Sequence, residues 1–355
     1  MAGPYEQNYF ALNTFRERFF RPKLRSAQYY NVNGSLMPRK ISETLGYGVH
    51  RSGWSRCVDH ISRCDLPVLV DDFVERTFMA RQANQVHRRR FVGVFHYPPD
   101  ADLPRFAPAS SDIRHSVIFS TPAWKLSEAN MVAGICLSEH LAASLRGQFD
   151  IPFHVVQHPT DIDVKHWDAA SFLERPTIVQ VGAFYRDTRS IARIAAEGFL
   201  KIRILDLRYD WINQWDKLVG RTLGPEVLPQ DIIHVNRVDD ALYDELLSSC
   251  ILHTNYLAAS ASNVIVEAIA RNTPCIVNRH PAVVEYLGPR YPLYEDELRS
   301  SDELVDRARA ANDYLMKIDK RQFSYDTFQS RLSGLFGGTS ASGTRSTTQA
   351  ADPIG

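Results

Sequence analysis

Along this chain the apolar residues gather into short runs, and between the runs they recur at the spacing of one helical face. Leu66-Pro67-Val68-Leu69-Val70, Phe91-Val92-Gly93-Val94-Phe95-His96, Ile135-Cys136-Leu137-Ser138 and Phe153-His154-Val155-Val156 read as short buried parallel strands. Helical stretches alternate with them at residues 54–62, 72–85 and 140–148, and such alternation predicts an α/β sheet. The second half restarts the pattern. Thr177-Ile178-Val179-Gln180-Val181-Gly182 predicts a strand, residues 190–198 a helix, and Ile202-Arg203-Ile204-Leu205 and Ile232-Ile233-His234-Val235 two further strands. Residues 239–249 carry helical spacing before a strand at Ile251-Leu252-His253-Thr254. Two wound sheets follow, with a boundary between residues 164 and 175.

The densest pattern lies in residues 260–288, SASNVIVEAIARNTPCIVNRHPAVVEYLG. Ser262 stands where an N-cap belongs, and Val264, Ile265, Ala268 and Ile269 share one helical face, with Asn263 and Glu267 on another. Asn272 suits a left-handed helix exit and Pro274 forbids continuation, so Cys275-Ile276-Val277-Asn278 emerges as a strand. Pro281 suits the first turn of a second helix and Gly288 its exit. Amides at the first helix's start favour an anion such as a diphosphate. Glu267, about one turn further in at ~1.5 Å per residue, is placed to accept from ribose hydroxyls. On spacing alone, an ordinary αβα crossover with a solvated Glu267 is the favoured explanation of the block.

Bulk properties narrow the partners. The 355 residues suffice for two domains, and 41 basic against 41 acidic residues leave no global field for nucleic acid or an anionic membrane. Five scattered cysteines without a Cys-x-x-Cys pair fit a reducing compartment and no zinc site. No apolar run approaches the roughly 20 residues of a membrane span, and the N-terminus lacks a signal-peptide core, so the expected location is the cytoplasm. A stripe over residues 15–20 leaves room for peripheral contact at the inner membrane face, although packing on the domain is its commoner use. Residues 337–355 are small and polar and read as a disordered tail.

Three loops carry candidate chemistry. Gly182 ends a strand and lets a backbone approach a ligand, and Arg186 just beyond can pair with a diphosphate, although on these residues alone an ordinary loop arginine is the commoner reading. Residues 46–55 form a glycine-bearing turn in which Trp54 offers a stacking surface, and its stretch Arg51, Ser52, Gly53 and Trp54 resembles the N-domain glycine loop of GT-B enzymes, which implies that it faces an acceptor. His96 closes a strand at the edge where α/β proteins place ligands, and a structural role there is as frequent as a functional one. Asp161-Ile162-Asp163 matches a metal-binding pattern short enough to arise by chance, and His87-Arg88-Arg89-Arg90 reads as a solvated loop. Neither a P-loop nor a Gly-x-Ser-x-Gly elbow is present.

Residues 260–288 resemble the donor-binding region of GT-B fold glycosyltransferases, in particular the family 4 type with its Glu-x7-Glu pattern. Glu267 matches the second glutamate, Ala268-Ile269-Ala270 the next helical turn, and Thr273-Pro274 the turn before the strand. The first glutamate falls at Ala259 and the usual turn glycine at Asn272. Ser260-Ala261-Ser262-Asn263, with Pro281 to Gly288 and Tyr291-Pro292-Leu293-Tyr294, is similar to a bacterial and large-virus subgroup. The segment from Gly182 to Arg186 resembles the family's Gly-x-x-x-Arg, with Ile191 where a lysine is usual and Arg189 as the nearest replacement.

The resemblance implies an α/β GT-B protein of two Rossmann-like domains facing a central cleft. Residues 1–168 form the acceptor side, 169–318 the nucleotide-sugar domain, and 319–336 a helix crossing back to the first domain. It further implies a retaining, metal-independent hexosyltransferase in glycan or polysaccharide biosynthesis, with no cofactor beyond the nucleotide-sugar substrate. Gly182, Arg186, Ser262, Asn263, Val264 and Glu267 bind the donor, Arg186 and His96 serve catalysis, and the acceptor is a glycan, a lipid-linked or a small-molecule hydroxyl. A scaffold subunit that has lost catalysis and a GT-B-fold sugar-nucleotide epimerase remain as alternatives.

Overall fold

The structure, a computed structural model, describes residues 30–32, 35–37, 53–64, 66, 68–78, 86–106, 114–297 and 303–336. The stripe at residues 15–20, Arg51, Ser52 and the tail at 337–355 lie outside the described residues.

A short antiparallel hairpin, β1 (Tyr30–Val32) and β2 (Ser35–Met37), precedes the first domain's sheet. That sheet contains β3 (Leu69–Asp71), β4 (Phe91–Phe95), β5 (Met131–Cys136) and β6 (Phe153–Val155), all parallel and side by side in chain order. β5 starts earlier than its apolar run, because Met131 and Ala133 pair with β4 ahead of Ile135. Gly134 is what lets β6 approach: a Cβ there would stand 2.2 Å from the Phe153 ring. Of the helical stretch at 72–85, Val74–Phe78 is described as a helix, and residues 79–85 lie outside the described residues. Helices Pro122–Ser127 and Glu139–Arg146 start on the hydroxyl caps of Thr121 and Ser138.

The second sheet is β7 (Thr177–Val181), β8 (Leu200–Ile204), β9 (Ile232–Val235), β10 (Ile251–Thr254) and β11 (Cys275–Val277), parallel in the order β11-β10-β7-β8-β9. The chain winds outward from β7 to β9, then returns to the far side of β7 as β10. Strand order therefore reverses between β7 and β10, where the loops leaving two neighbouring strands part and open a crevice.

Several second-domain elements differ from expectation, the unforeseen helix Leu304–Met316 among them. Residues 190–198 hold only a 3-10 turn, Ser190–Arg193, because Gln180 of β7 reaches up to bond the Asp187 carbonyl, the Ser190 hydroxyl and the Ile191 amide. A thirteen-residue helix, Asp210–Thr222, stands where no helix was expected. It buries Asp216 between Arg189 and Arg203, so an ion network occupies what usually is an apolar seam.

Two crossings join the domains. Trp167 already packs in the second core, its indole donating to the Cys250 carbonyl, so the first crossing is complete before residue 168. The last helix, Tyr325–Phe336, returns: Phe323 belongs to the second core, whereas Phe328, Leu332 and Phe336 fill the first.

Candidate functional site

The switch between β7 and β10 gathers the candidate residues of the second domain. Gly182 leaves β7 at φ +80°, and a Cβ there would overlap the Arg186 guanidinium. Only glycine leaves room for the arginine to fold back. Tyr185, at φ +54°, completes the reversal. Arg186 then donates through Nη1 to the Val181 carbonyl at 3.3 Å and through Nη2 to Ser262 Oγ at 3.3 Å, with its guanidinium 5.1 Å from the Tyr256 ring centre.

Ser262 occupies the N-cap position of the helix Asn263–Arg271, but its hydroxyl does not cap that helix. It is held instead by Arg186 and by the Tyr256 hydroxyl. The first-turn amides of Asn263, Val264 and Ile265 consequently have no side-chain acceptor from the cap, which concentrates the positive end of the helix beside a guanidinium. Glu267 is not a solvated helix residue. It is 1% exposed and accepts at 3.0 Å from the Tyr243 hydroxyl, whose pKa burial and the nearby carboxylate push well up. The helix ends at Asn272 with φ +59°. The next helix, Pro281–Leu287, starts with proline and ends at Gly288, φ +80°.

Across the cleft, the first domain presents the end of β4. The Ser260 hydroxyl donates to the His96 carbonyl, tying the loop that leads into the Asn263 helix to this wall. His96 Nε2 lies 2.9 Å from the Asp72 carbonyl, which can only accept, so Nε2 carries the proton and Nδ1 the lone pair. The ring stacks on Phe73 at 4.0 Å and meets Trp54 edge-on at 4.2 Å. Burial lowers its pKa to about 4, so the imidazole is neutral at physiological pH.

Trp54 is 5% exposed and therefore no open stacking surface; its indole donates to Asp72 at 3.1 Å and fixes the segment that holds His96. Gly53 is buried at the N-cap of the Trp54–Ile61 helix.

Glu75 is a residue that sequence reasoning missed. Fully buried, it accepts through Oε1 from the His96 and Tyr97 amides at 2.7 and 2.8 Å and lies 3.0 Å from His115 Nε2, while Oε2 has no partner. A buried strand end must hand its amides to some acceptor, which was the available signal. An acid within a helical pattern reads as solvated, and that concealed it.

Other positions do not join the site. Arg189 is spent on Asp216 and on the Pro225 and Glu226 carbonyls, so it cannot replace the lysine absent at Ile191. Ile191 and Ala259 are core residues of the second domain. Asp161 accepts from the Asp163 amide and faces Arg56, a closed local turn. His87 is buried against Asp71 at 2.8 Å, although Arg88, Arg89 and Arg90 are exposed. Among the described residues, one group brings three side chains of metal-ligating type together: Asp102, His140 and His280. The Ala282 amide lies 3.3 Å from His280 Nδ1, which leaves the proton on Nε2 and makes that nitrogen a donor.

No protein-family model matches the chain, and no curated protein matches its sequence. Solved structures do match. The chain is similar to HepE from Anabaena, solved with UDP and glucose, at 12% identity and a TM-score of 0.50, covering 70% of this chain and 72% of that one. It is similar to the sucrose-phosphate synthase of Thermosynechococcus elongatus at 13% identity and a TM-score of 0.52, covering 76% and 72%. These likenesses show the fold, which is GT-B: two parallel α/β sheets across a cleft. No described helix is long and apolar enough to cross a membrane.

Proposed function

We propose that this protein is a glycosyltransferase that moves a sugar from a nucleotide-sugar donor to an acceptor hydroxyl. The observation that carries the reading is Arg186 on Ser262, a guanidinium set beside a helix start at the switch between β7 and β10. A diphosphate fits this place, drawing on Arg186 and on the Asn263 and Val264 amides. The ribose then lies toward Glu267, and the sugar points across the cleft to Ser260 and His96. The GT-B neighbours support the reading, since HepE was solved with UDP and glucose.

Catalysis in this scheme stabilises the departing diphosphate through Arg186 and the helix start, and holds the acceptor oxygen near the anomeric carbon. The neutral His96 accepts a hydrogen bond from a sugar hydroxyl through Nδ1 and does not serve as an acid. Retention of configuration, metal independence, hexosyl transfer, a place in polysaccharide biosynthesis and a cytoplasmic setting belong to the proposal through the family 4 resemblance. The acceptor is a glycan, lipid-linked or small-molecule hydroxyl.

A panel of nucleotide sugars tests this by thermal stabilisation: a true donor at 100 times its dissociation constant adds about 2.7 kcal/mol. No shift with any of them removes the donor site. Ala259 and Ile191, both in the core, favour a second reading, a binding or scaffold subunit without turnover. Donor stabilisation without transfer or slow donor hydrolysis selects that reading.

A further inference from the structure

The two domains also meet where hydrogen-bonding groups of one close on the other, and Leu103, next to Asp102, packs there with Tyr185 and Ala258 of the second domain. The second domain's Pro281–Leu287 helix lies against the start of the first domain's Glu139–Arg146 helix. Glu285 takes the place of an N-cap from across the interface, accepting from the Glu139 amide at 2.7 Å and from the His140 amide at 2.5 Å. Next to it, the Tyr286 hydroxyl donates to the Leu137 carbonyl at 2.5 Å and accepts from the His158 amide at 3.1 Å.

The third element is a carboxylate shared by two imidazoles. Asp102, at the end of the 3-10 turn Asp100–Asp102 after β4, receives His140 Nε2 of its own domain at 2.5 Å and faces His280 Nε2 of the other at 3.4 Å. The two rings stand 5.5 Å apart at 89°, so both point their nitrogens at one oxygen without stacking. The Ala282 amide on His280 Nδ1 sets the tautomer that donates toward Asp102, which is the arrangement of a hydrogen-bonded contact and the wrong one for a metal ligand.

We propose that Asp102, His140 and His280 form a proton-linked clasp that holds the two domains closed over the cleft, with Glu285 as its fixed pivot. The titratable groups facing His140 are Asp102 and Glu285, both acidic, and His280, whose ring stands 5.5 Å away, while its helix neighbour Glu139 is paired with Arg146. The hydrogen bond to Asp102 raises the His140 pKa above its ordinary value. His140 and His280 outweigh burial at Asp102 and hold its pKa at about 2. The signs give a window. The carboxylate's share is present above its ordinary range and is lost as pH falls through about 2. The imidazole's share is complete below its ordinary value and fades as pH rises through the raised one. Closure is therefore strongest in mildly acidic solution and loosens with alkalinity.

Spin labels on Leu126→Cys and Val227→Cys, exposed positions on the two domains, report closure by double electron–electron resonance, since the five native cysteines are buried. The labelled full chain is expected to hold one short-distance population at about pH 5.5 and to shift to longer distances at about pH 9. Asp102→Asn is expected to give the longer distances at both values. His140→Gln keeps a donor without a titrating charge and is expected to abolish the pH response, so the proposal stays testable if Asp102→Asn misfolds. Identical distributions for wild type and the folded variants at both values overturn the clasp. So does a wild-type distance that zinc chloride shortens and EDTA restores, because the triad is then a metal site.

Discussion

The edge between β7 and β10 and the edge at the end of β4 face each other across one cleft, yet they are built from opposite materials. On the second domain, a guanidinium and an uncapped helix start bring positive charge together, and glycine at 182 exists to let the arginine in. On the first domain, His96 is wedged between Phe73 and Trp54 and kept neutral by burial, with its backbone amide held by a buried carboxylate. The difference assigns the work in the proposed reaction: one wall handles charge that leaves, the other shapes and orients without charge.

Replacing Arg186 with alanine tests the charged wall most directly. The loss of one preorganised donor to the departing group is expected to lower kcat/KM by about 10²- to 10³-fold, measured in steady state with the donor found by thermal shift. A His96→Ala variant with an equal loss would break the contrast. Glu267→Ala comes next. Hydrogen bonds to a charged acceptor contribute roughly 1.5–3 kcal/mol, so donor binding by calorimetry should weaken about 10- to 100-fold, with loss falling on ribose recognition. A 2′,3′-dideoxy donor should then be used equally by variant and wild type.

Gly182→Ala is a smaller, structural probe. A residue forced to φ +80° costs of the order of 1–3 kcal/mol, and here the new Cβ also displaces Arg186. Reduced thermal stability together with weakened donor binding is the expected pair, and lost stability with normal binding would separate the glycine from the site. The smallest effect concerns pH. With a pKa of about 4, His96 contributes no activity limb between about pH 5 and 8. Stability has the opposite sensitivity. His96 and His253, the latter lowered by burial to about 3, stay neutral in the folded chain while the unfolded chain takes up protons near 6.5. Melting temperature should thus fall as pH drops from about 6.5 toward 4, and His96→Phe should flatten part of that slope.

What could be read from the sequence was what acts locally on the backbone. Asn272, Pro274, Pro281 and Gly288 determine turns by their own geometry, and the helix–strand–helix they delimit has the expected boundaries within a residue or so. Strands buried on both faces likewise announce themselves. The hidden parts depend on partners distant in sequence. The Asp210–Thr222 helix escaped because its buried face carries Asp216, whose charge makes sense only beside Arg189 and Arg203. Glu75 escaped because its burial depends on amides 21 and 22 residues away. Trp54 looked like a surface to stack on because nothing local shows that Asp72 draws its indole inward. At the site, the residue types near Arg186 and Ser262 were legible, whereas the clash that requires Gly182 and the diversion of the Ser262 hydroxyl from its helix arise only in three dimensions.

The returning helix has a bearing on how the molecule is made. Phe328, Leu332 and Phe336 complete the core of the first domain, although they are synthesised after the whole of the second. A ribosome-bound chain that has released only the first sheet still lacks part of its interior, and it waits with an apolar groove uncovered while the second sheet emerges and folds. The core of the first domain is therefore completed only after the second has been synthesised.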